Sequence, residues 1–166
     1  MVQKNYLLDT AQATYKIERL ALEVAEHLQG DDASLIIIGI RNSGMVIADK
    51  ISLLIQQYIS VPVETINITL DKTKPVDIVL SKQLDFNDKN ILLVDDVANS
   101  GKTLLYALKP LLAFHPKRIQ TLVLVERMHK LFPVKPDFVG LSVATTLQDN
   151  IIVEVEGDEI TGAYIA

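Results

Sequence analysis

An α/β domain with a mostly parallel central sheet is the fold class that the sequence predicts, on three observations. Strand-like and helix-like segments alternate through the first two-thirds of the chain. The strand-like segments are short, continuous apolar runs rich in Ile, Leu and Val, the pattern of strands buried on both faces. No internal repeat or low-complexity linker interrupts the order. The 166 residues are the length of one ordinary domain, so a single domain over residues 1–166 is expected.

The elements follow in order. Residues 10–30 read as an amphipathic helix, because Ile17, Leu20, Ala21, Val24 and Leu28 recur at steps of three and four. Thr10 is the expected N-cap and Gly30 the expected stop. Residues 34–40 form the first strand, and helical spacing returns over 45–58 after a break at Arg41–Gly44. Residues 63–70 form the second strand. The polar stretch 71–90, with four lysines, four aspartates and one proline, reads as an excursion from the sheet, a small hairpin flap around an apolar island at 76–80. A third strand covers 91–94 and a third helix 103–114, although Pro110 stands inside it and proline in a helix interior costs about 3 kcal/mol. Residues 119–125, 138–141, 151–155 and 162–165 complete the strands.

Composition removes several classes of function. Hydrophobic residues make up 49%, which supplies a core and excludes disorder. Cysteine is absent, so disulfide scaffolds and thiol chemistry are out. With no tryptophan, five tyrosines, four phenylalanines and a net charge of −5, the chain is poorly suited to stacking or broad phosphate-backbone contact with nucleic acid. The apolar runs are far shorter than the roughly 20 residues of a spanning helix. The N-terminal residues have no signal-peptide pattern, so a cytoplasmic location is expected.

Ligands of open α/β sheets bind beyond the carboxyl ends of the strands, which points to the loops starting at Arg41, Asp71, Asp95 and Glu126. The third of these carries the most chemistry. Four apolar residues lead into Asp95 and Asp96, followed by Val97, Ala98, Asn99, Ser100, Gly101, Lys102 and Thr103 at a helix start. Backbone N–H groups at such a turn converge on an anion. Ser100 and Thr103 add hydroxyls, and Gly101 permits close approach. Two adjacent carboxylates suit a vicinal diol and repel a bare polyphosphate. The combination describes a ribose 5-phosphate unit. A Walker A loop needs a glycine five residues before Gly101, and that position holds Asp96. A phospho-acceptor receiver domain places its acids after the first strand, whereas these follow the third. A capped helix start with solvated aspartates leaves the second acid unexplained.

These residues resemble the phosphoribosyl-pyrophosphate (PRPP) signature of the type I phosphoribosyltransferases. The likeness extends along the chain and is greatest to the bifunctional pyrimidine-operon attenuator and uracil phosphoribosyltransferase family. It is carried by residues 19–30, by Gly39-Ile40-Arg41-Asn42-Ser43-Gly44, by residues 66–70, by Val125-Glu126-Arg127-Met128-His129-Lys130 and by Asp137-Phe138-Val139-Gly140. The resemblance implies the type I phosphoribosyltransferase fold, with a small flap or hood.

It also implies roles. Asp95 and Asp96 would bind the ribose hydroxyls, and Ala98, Asn99, Ser100, Gly101, Lys102 and Thr103 the 5-phosphate. Arg41, Asn42, Ser43 and Gly44 would form the pyrophosphate loop. Asp95, Asp96, Arg41 and Arg127 are the expected catalytic group, and Arg127, Met128, Lys135 and Val139 the base-binding group. Lys72 and Lys74 would act from the flap, where the arginine usual in the family is missing. The flap is also shorter than in that family, and Ser43 replaces a basic residue. Mg²⁺ would arrive on PRPP rather than on a protein site of its own. The implied reaction releases pyrophosphate as a base takes the anomeric carbon. Uracil is favoured, because Asn99 stands where purine enzymes hold a carboxylate, while Lys135-Pro136-Asp137 keeps a 6-oxopurine open as acceptor. A nucleotide-sensing RNA-binding regulator with little or no catalysis is the other alternative. It lacks a dense basic cluster: Lys16, Arg19, Lys117 and Arg118 are scattered. The resemblance further implies a homo-oligomer, dimer or tetramer.

Overall fold

The computed structural model describes residues 3–71 and 73–166. Strand β1 (Asn5–Asp9) leads directly into helix α1 (Thr10–Leu28). The N-cap is Asp9, one residue before the expected Thr10. Its carboxylate accepts from the Gln12 N–H at 2.8 Å, and the Gln12 Oε1 accepts from the Asp9 N–H at 2.9 Å, a reciprocal capping box. The Thr10 hydroxyl instead donates to the Thr161 carbonyl at 3.0 Å. Gly30, at φ +79°, breaks the chain just past the helix as expected.

Strand β2 (Leu35–Ile40) is buried at every residue and is followed by α2 (Ser43–Ile55) and β3 (Val63–Leu70). Strand β4 (Ile78–Leu80) lies inside the polar stretch read as an excursion. It stays with the sheet, pairing antiparallel with β3 through Ile68–Leu80, Thr69–Val79 and Leu70–Ile78. Phe86, in the same stretch, is fully buried and packs edge-on against Phe114.

Strand β5 (Asn90–Ala98) is twice the expected length. It continues through the two aspartates because β6 (Arg118–Arg127) runs parallel beside it and pairs as far as Ala98–Glu126. The third helix is cut short. Helix α3 spans only Lys102–Ala107, and a single 3-10 turn, Lys109–Leu111, follows with Pro110 inside it. A proline ring at 110 would collide with the Tyr106 carbonyl in a continuing helix and offers no N–H to it. Strands β7 (Phe138–Val143), β8 (Ile151–Glu156) and β9 (Glu159–Ile165) complete the chain.

Two sheets result. The six-stranded one has the order β4-β3-β2-β5-β6-β7, parallel except for β4. Helices α1 and α2 cover one face, where Ile17, Leu20, Val24, Ile47 and Ile51 meet Leu35, Ile37, Leu92 and Leu124. Helix α3 covers the other, where Leu104 and Leu111 meet Ile36, Ile38, Leu93 and Val123. Each such fully buried aliphatic contributes about 1.5–3 kcal/mol before entropy is charged.

The second sheet, β1-β9-β8, is a small antiparallel hood over the carboxyl ends of the parallel strands. Leu8, Ile151, Val153, Ile160 and Ala163 join it to the α1–α2 side of the core. Strand β1 was not read from the sequence, since its partner β9 is the last strand of the chain. On the outer face of the hood Lys4 and Tyr6 both bind Glu154, which holds the Glu154 carboxyl below the usual carboxylate range. Among the described residues no helix is long and apolar enough to cross a membrane.

Candidate active site

The loop between β5 and α3 is shaped by a few specific contacts. Gly101 takes φ +85°, a left-handed conformation that side chains resist. A Cβ there would also sit 3.3 Å from the Phe132 carbonyl oxygen. The Ser100 carbonyl accepts from the N–H groups of Leu131 and Phe132, both at 3.0 Å, and the Ser100 hydroxyl accepts from the Lys102 N–H at 3.2 Å. The loop is thereby pinned from the 128–134 segment. It forms the floor of a cavity of about 250 Å³ with Asp96, Asn99, Ser100, Gly101 and Thr103 below and Ile151, Ile152 and Val153 of the hood above.

The acid pair is divided by strand geometry. Asp95 is fully buried and Asp96 nearly so. The Asp95 Oδ1 accepts from the Asp96 N–H, and the Asp96 Oδ1 from the Val97 N–H, each at 2.8 Å. Asp96 lines the cavity, whereas Asp95 faces the start of α2. Gly44 makes that approach possible: a Cβ on it would lie 2.8 Å from the Val94 carbonyl oxygen and 3.2 Å from Asp95 Oδ1.

Arg41, Asn42, Ser43 and Gly44 form the turn from β2 into α2 at the same end of the sheet, with a cis peptide bond between Arg41 and Asn42. Arg41 and Asn42 are exposed, and the Arg41 N–H donates to the Ile68 carbonyl at 3.0 Å. From the flap, Asp71 accepts from the N–H groups of Thr73 at 2.8 Å and Lys74 at 3.3 Å. Lys74 is exposed, and Lys72 lies outside the described residues. The Lys102 ammonium reaches across to donate to the Thr73 carbonyl at 3.2 Å, so this loop residue tethers the flap.

The four expected base-binding residues fall in three places. Met128 and Lys135 line a second cavity of about 490 Å³ with Glu126, Lys130 and Ser142. There Glu126 is buried, bound by Lys130 at 2.6 Å and by the Ser142 hydroxyl at 2.8 Å. Val139 lines neither cavity, and its carbonyl accepts from Arg19 at 3.2 Å. Arg127 is 6% exposed and donates to the Asn99 Oδ1 at 3.3 Å and the Thr146 carbonyl at 3.2 Å. Sequence reasoning missed the hood residues Ile151–Val153 as the roof of the cavity. The only signal available was their late position in the chain.

A buried diacid strand end, a turn pinned through Gly101 and a hood thus lie together at the carboxyl end of the parallel sheet. Residues 4–159 match the phosphoribosyl transferase domain, and the chain belongs to that family. Within it, the chain is similar to the bifunctional protein PyrR of Clostridioides difficile, at 35% identity over 96% of this chain and 97% of that one. A PyrR from Acetivibrio thermocellus is 36% identical over 98% and 92%. The fold is shared with the hypoxanthine phosphoribosyltransferase of Trypanosoma cruzi, at TM-score 0.81 and 17% identity over 97% and 95% of the two chains. A hypoxanthine-guanine phosphoribosyltransferase of Bacillus anthracis superposes at TM-score 0.74 with 19% identity over 96% of each.

Proposed function

We propose that this phosphoribosyltransferase moves the ribose 5-phosphate of PRPP onto uracil and releases pyrophosphate. The observation that carries the reading is the cavity itself, which is lined together by Asp96 and by the turn residues Asn99, Ser100, Gly101 and Thr103. A carboxylate accepts from vicinal hydroxyls, and backbone N–H groups with the Ser100 and Thr103 hydroxyls suit a phosphate. Asp95, buried behind Asp96, adds negative potential where an oxocarbenium-like ribose develops positive charge. Arg41 and the turn Asn42–Gly44 stand at the same sheet end, which supports a role for them in holding the leaving pyrophosphate. Lys74, and Lys102 through its hold on the flap, help exclude water from that end.

Mg²⁺ fits this reading as a passenger on PRPP, where it would neutralise pyrophosphate oxygens; the hard carboxylate oxygens of Asp95 and Asp96 are the chain's donors nearest in kind. Among the described residues no cluster of three or more His, Cys, Asp or Glu forms a metal cage.

Uracil is favoured over a 6-oxopurine because position 99 holds no carboxylate that could take a proton from a purine ring nitrogen. The proteins at 35% and 36% identity are named as bifunctional, which keeps a second, regulatory activity in view. An RNA-bound regulator is the lesser reading, since the net charge is −5. The decisive assay is PRPP-dependent pyrophosphate release with uracil, hypoxanthine, guanine, xanthine and adenine in parallel. Uracil should give the highest kcat/KM. Faster turnover of hypoxanthine or guanine would transfer the acceptor assignment to the purine class.

A further inference from the structure

We propose that Asn99 is a positioning residue that clamps the hood onto the phosphate loop, and that it does not read the base. Its side-chain amide bonds both ends of one residue's backbone. The Asn99 Nδ2 donates to the Ile151 carbonyl at 3.2 Å, and the Asn99 Oδ1 accepts from the Ile151 N–H at 3.1 Å. The side chain thus behaves as one extra rung of a β-ladder, joining segments 52 residues apart in sequence. Only a carboxamide presents a donor and an acceptor side by side at this reach.

The same Oδ1 takes a second bond from Arg127, whose guanidinium is buried and whose other arm holds the Thr146 carbonyl. Arg127 therefore fixes the orientation of the amide and, through Thr146, the loop that leads into β8. Four segments meet here: the phosphate loop, the end of β6, the loop at Thr146 and the first residue of β8. Because Ile151 begins the roof and Asn99 belongs to the floor of the 250 Å³ cavity, this clamp sets the height of the pocket. The Asn99 Oδ1 already accepts from both the Ile151 N–H and Arg127, so the oxygen that could take a hydrogen bond from a base is saturated, and Nδ2 spends one of its two hydrogens on the Ile151 carbonyl.

The functional half of this inference rests on the reading that the cavity takes PRPP, and its test separates the two. Hydrogen exchange and PRPP calorimetry are measured on the full chain carrying Asn99→Ala, Asn99→Asp or Arg127→Met. In Asn99→Ala the Ile151 amide should exchange at least about tenfold faster, with Ile37 and Ile38 of β2 unchanged. Asn99→Asp keeps the acceptor, so its Ile151 amide should stay protected. Equal loss of protection in both variants would overturn the assignment, as would unchanged exchange in Asn99→Ala. PRPP should bind about fivefold or more weakly to Asn99→Ala, and KM for PRPP should rise while kcat changes less. A purely structural role would lower only the active fraction, and with it kcat. Arg127→Met and Asn99→Ala should be clearly less than additive in the double variant, because one of the two Arg127 arms acts through the same amide while the other holds Thr146; full additivity would contradict the clamp. If the unaltered protein fails to bind PRPP, the functional reading falls, while the exchange data still decide the clamp.

Discussion

Replacing Gly44 by alanine probes the junction on which the acid pair depends. The added Cβ would stand 2.8 Å from the Val94 carbonyl oxygen, 3.0 Å from Asp95 Cα and 3.2 Å from Asp95 Oδ1. Comfortable contacts lie near 3.5 Å, so helix and strand must separate by roughly 0.5 Å. Strand β5 is hydrogen-bonded on both sides within the six-stranded sheet, so the start of α2 is the part that yields. Overpacking of this kind costs about 1–3 kcal/mol, and the lost flexibility of the unfolded chain offsets about 0.4–1 kcal/mol of it. A net loss near 1–2 kcal/mol should lower the urea midpoint by about 0.5–1 M, for a slope of about 2 kcal/mol per M. The displaced turn carries Asn42 and Ser43, so PRPP affinity by calorimetry should fall as well. Gly30→Ala is the comparison: its Cβ meets nothing within 4 Å, and only the strain of φ +79° is paid. That variant should lose stability without losing PRPP affinity. A Gly44→Ala protein with unaltered urea midpoint and unaltered PRPP affinity would refute the close packing of α2 against Asp95.

Three further outcomes are expected. Removing both acids, Asp95→Ala with Asp96→Ala, should weaken PRPP binding at least tenfold, about 1.4 kcal/mol or more, and unchanged calorimetric affinity would withdraw their assignment to the ribose. Lys102→Met should speed amide exchange across residues 73–80 while leaving the β5 amides protected, since its ammonium holds the Thr73 carbonyl; a flap that exchanges at the same rate would show the tether to be idle. The Asp31 carboxyl, bound by Lys117 and by the Ala33 N–H, is held well below the ordinary carboxylate range. A depressed folded-state pKa stabilises above the unfolded value, near 4, and the benefit is lost as pH falls toward the folded value. The Tm gap between the unaltered protein and Asp31→Asn should therefore be full at pH 7 and shrink below about pH 4; a gap constant down to pH 2 would contradict this.

Local apolar patterning dictates the alternation of strands and helices, because buried parallel strands must be continuous apolar runs and surface helices must be amphipathic. Val63–Leu70 matched to the residue, since both of its neighbours are ordinary ladder partners. The acid pair and its turn were legible as a motif, because two adjacent acids, small polar residues and a glycine stand together at the end of an apolar run. The third helix, expected over 103–114, ends instead at Ala107, ahead of Pro110. What the tertiary structure decided depended on partners far away in the chain. Strand β5 runs on through Asp95 and Asp96 only because β6 lies beside it. Strand β1 exists only because β9 returns to pair with it. Asn99 stands three residues after Asp96, and its side-chain partners, Ile151 and Arg127, lie 52 and 28 residues on. Local periodicity encodes which faces are apolar. It carries no record of which distant backbone groups will need a donor and an acceptor, and that need is what placed Asn99 between the β5–α3 turn and the hood.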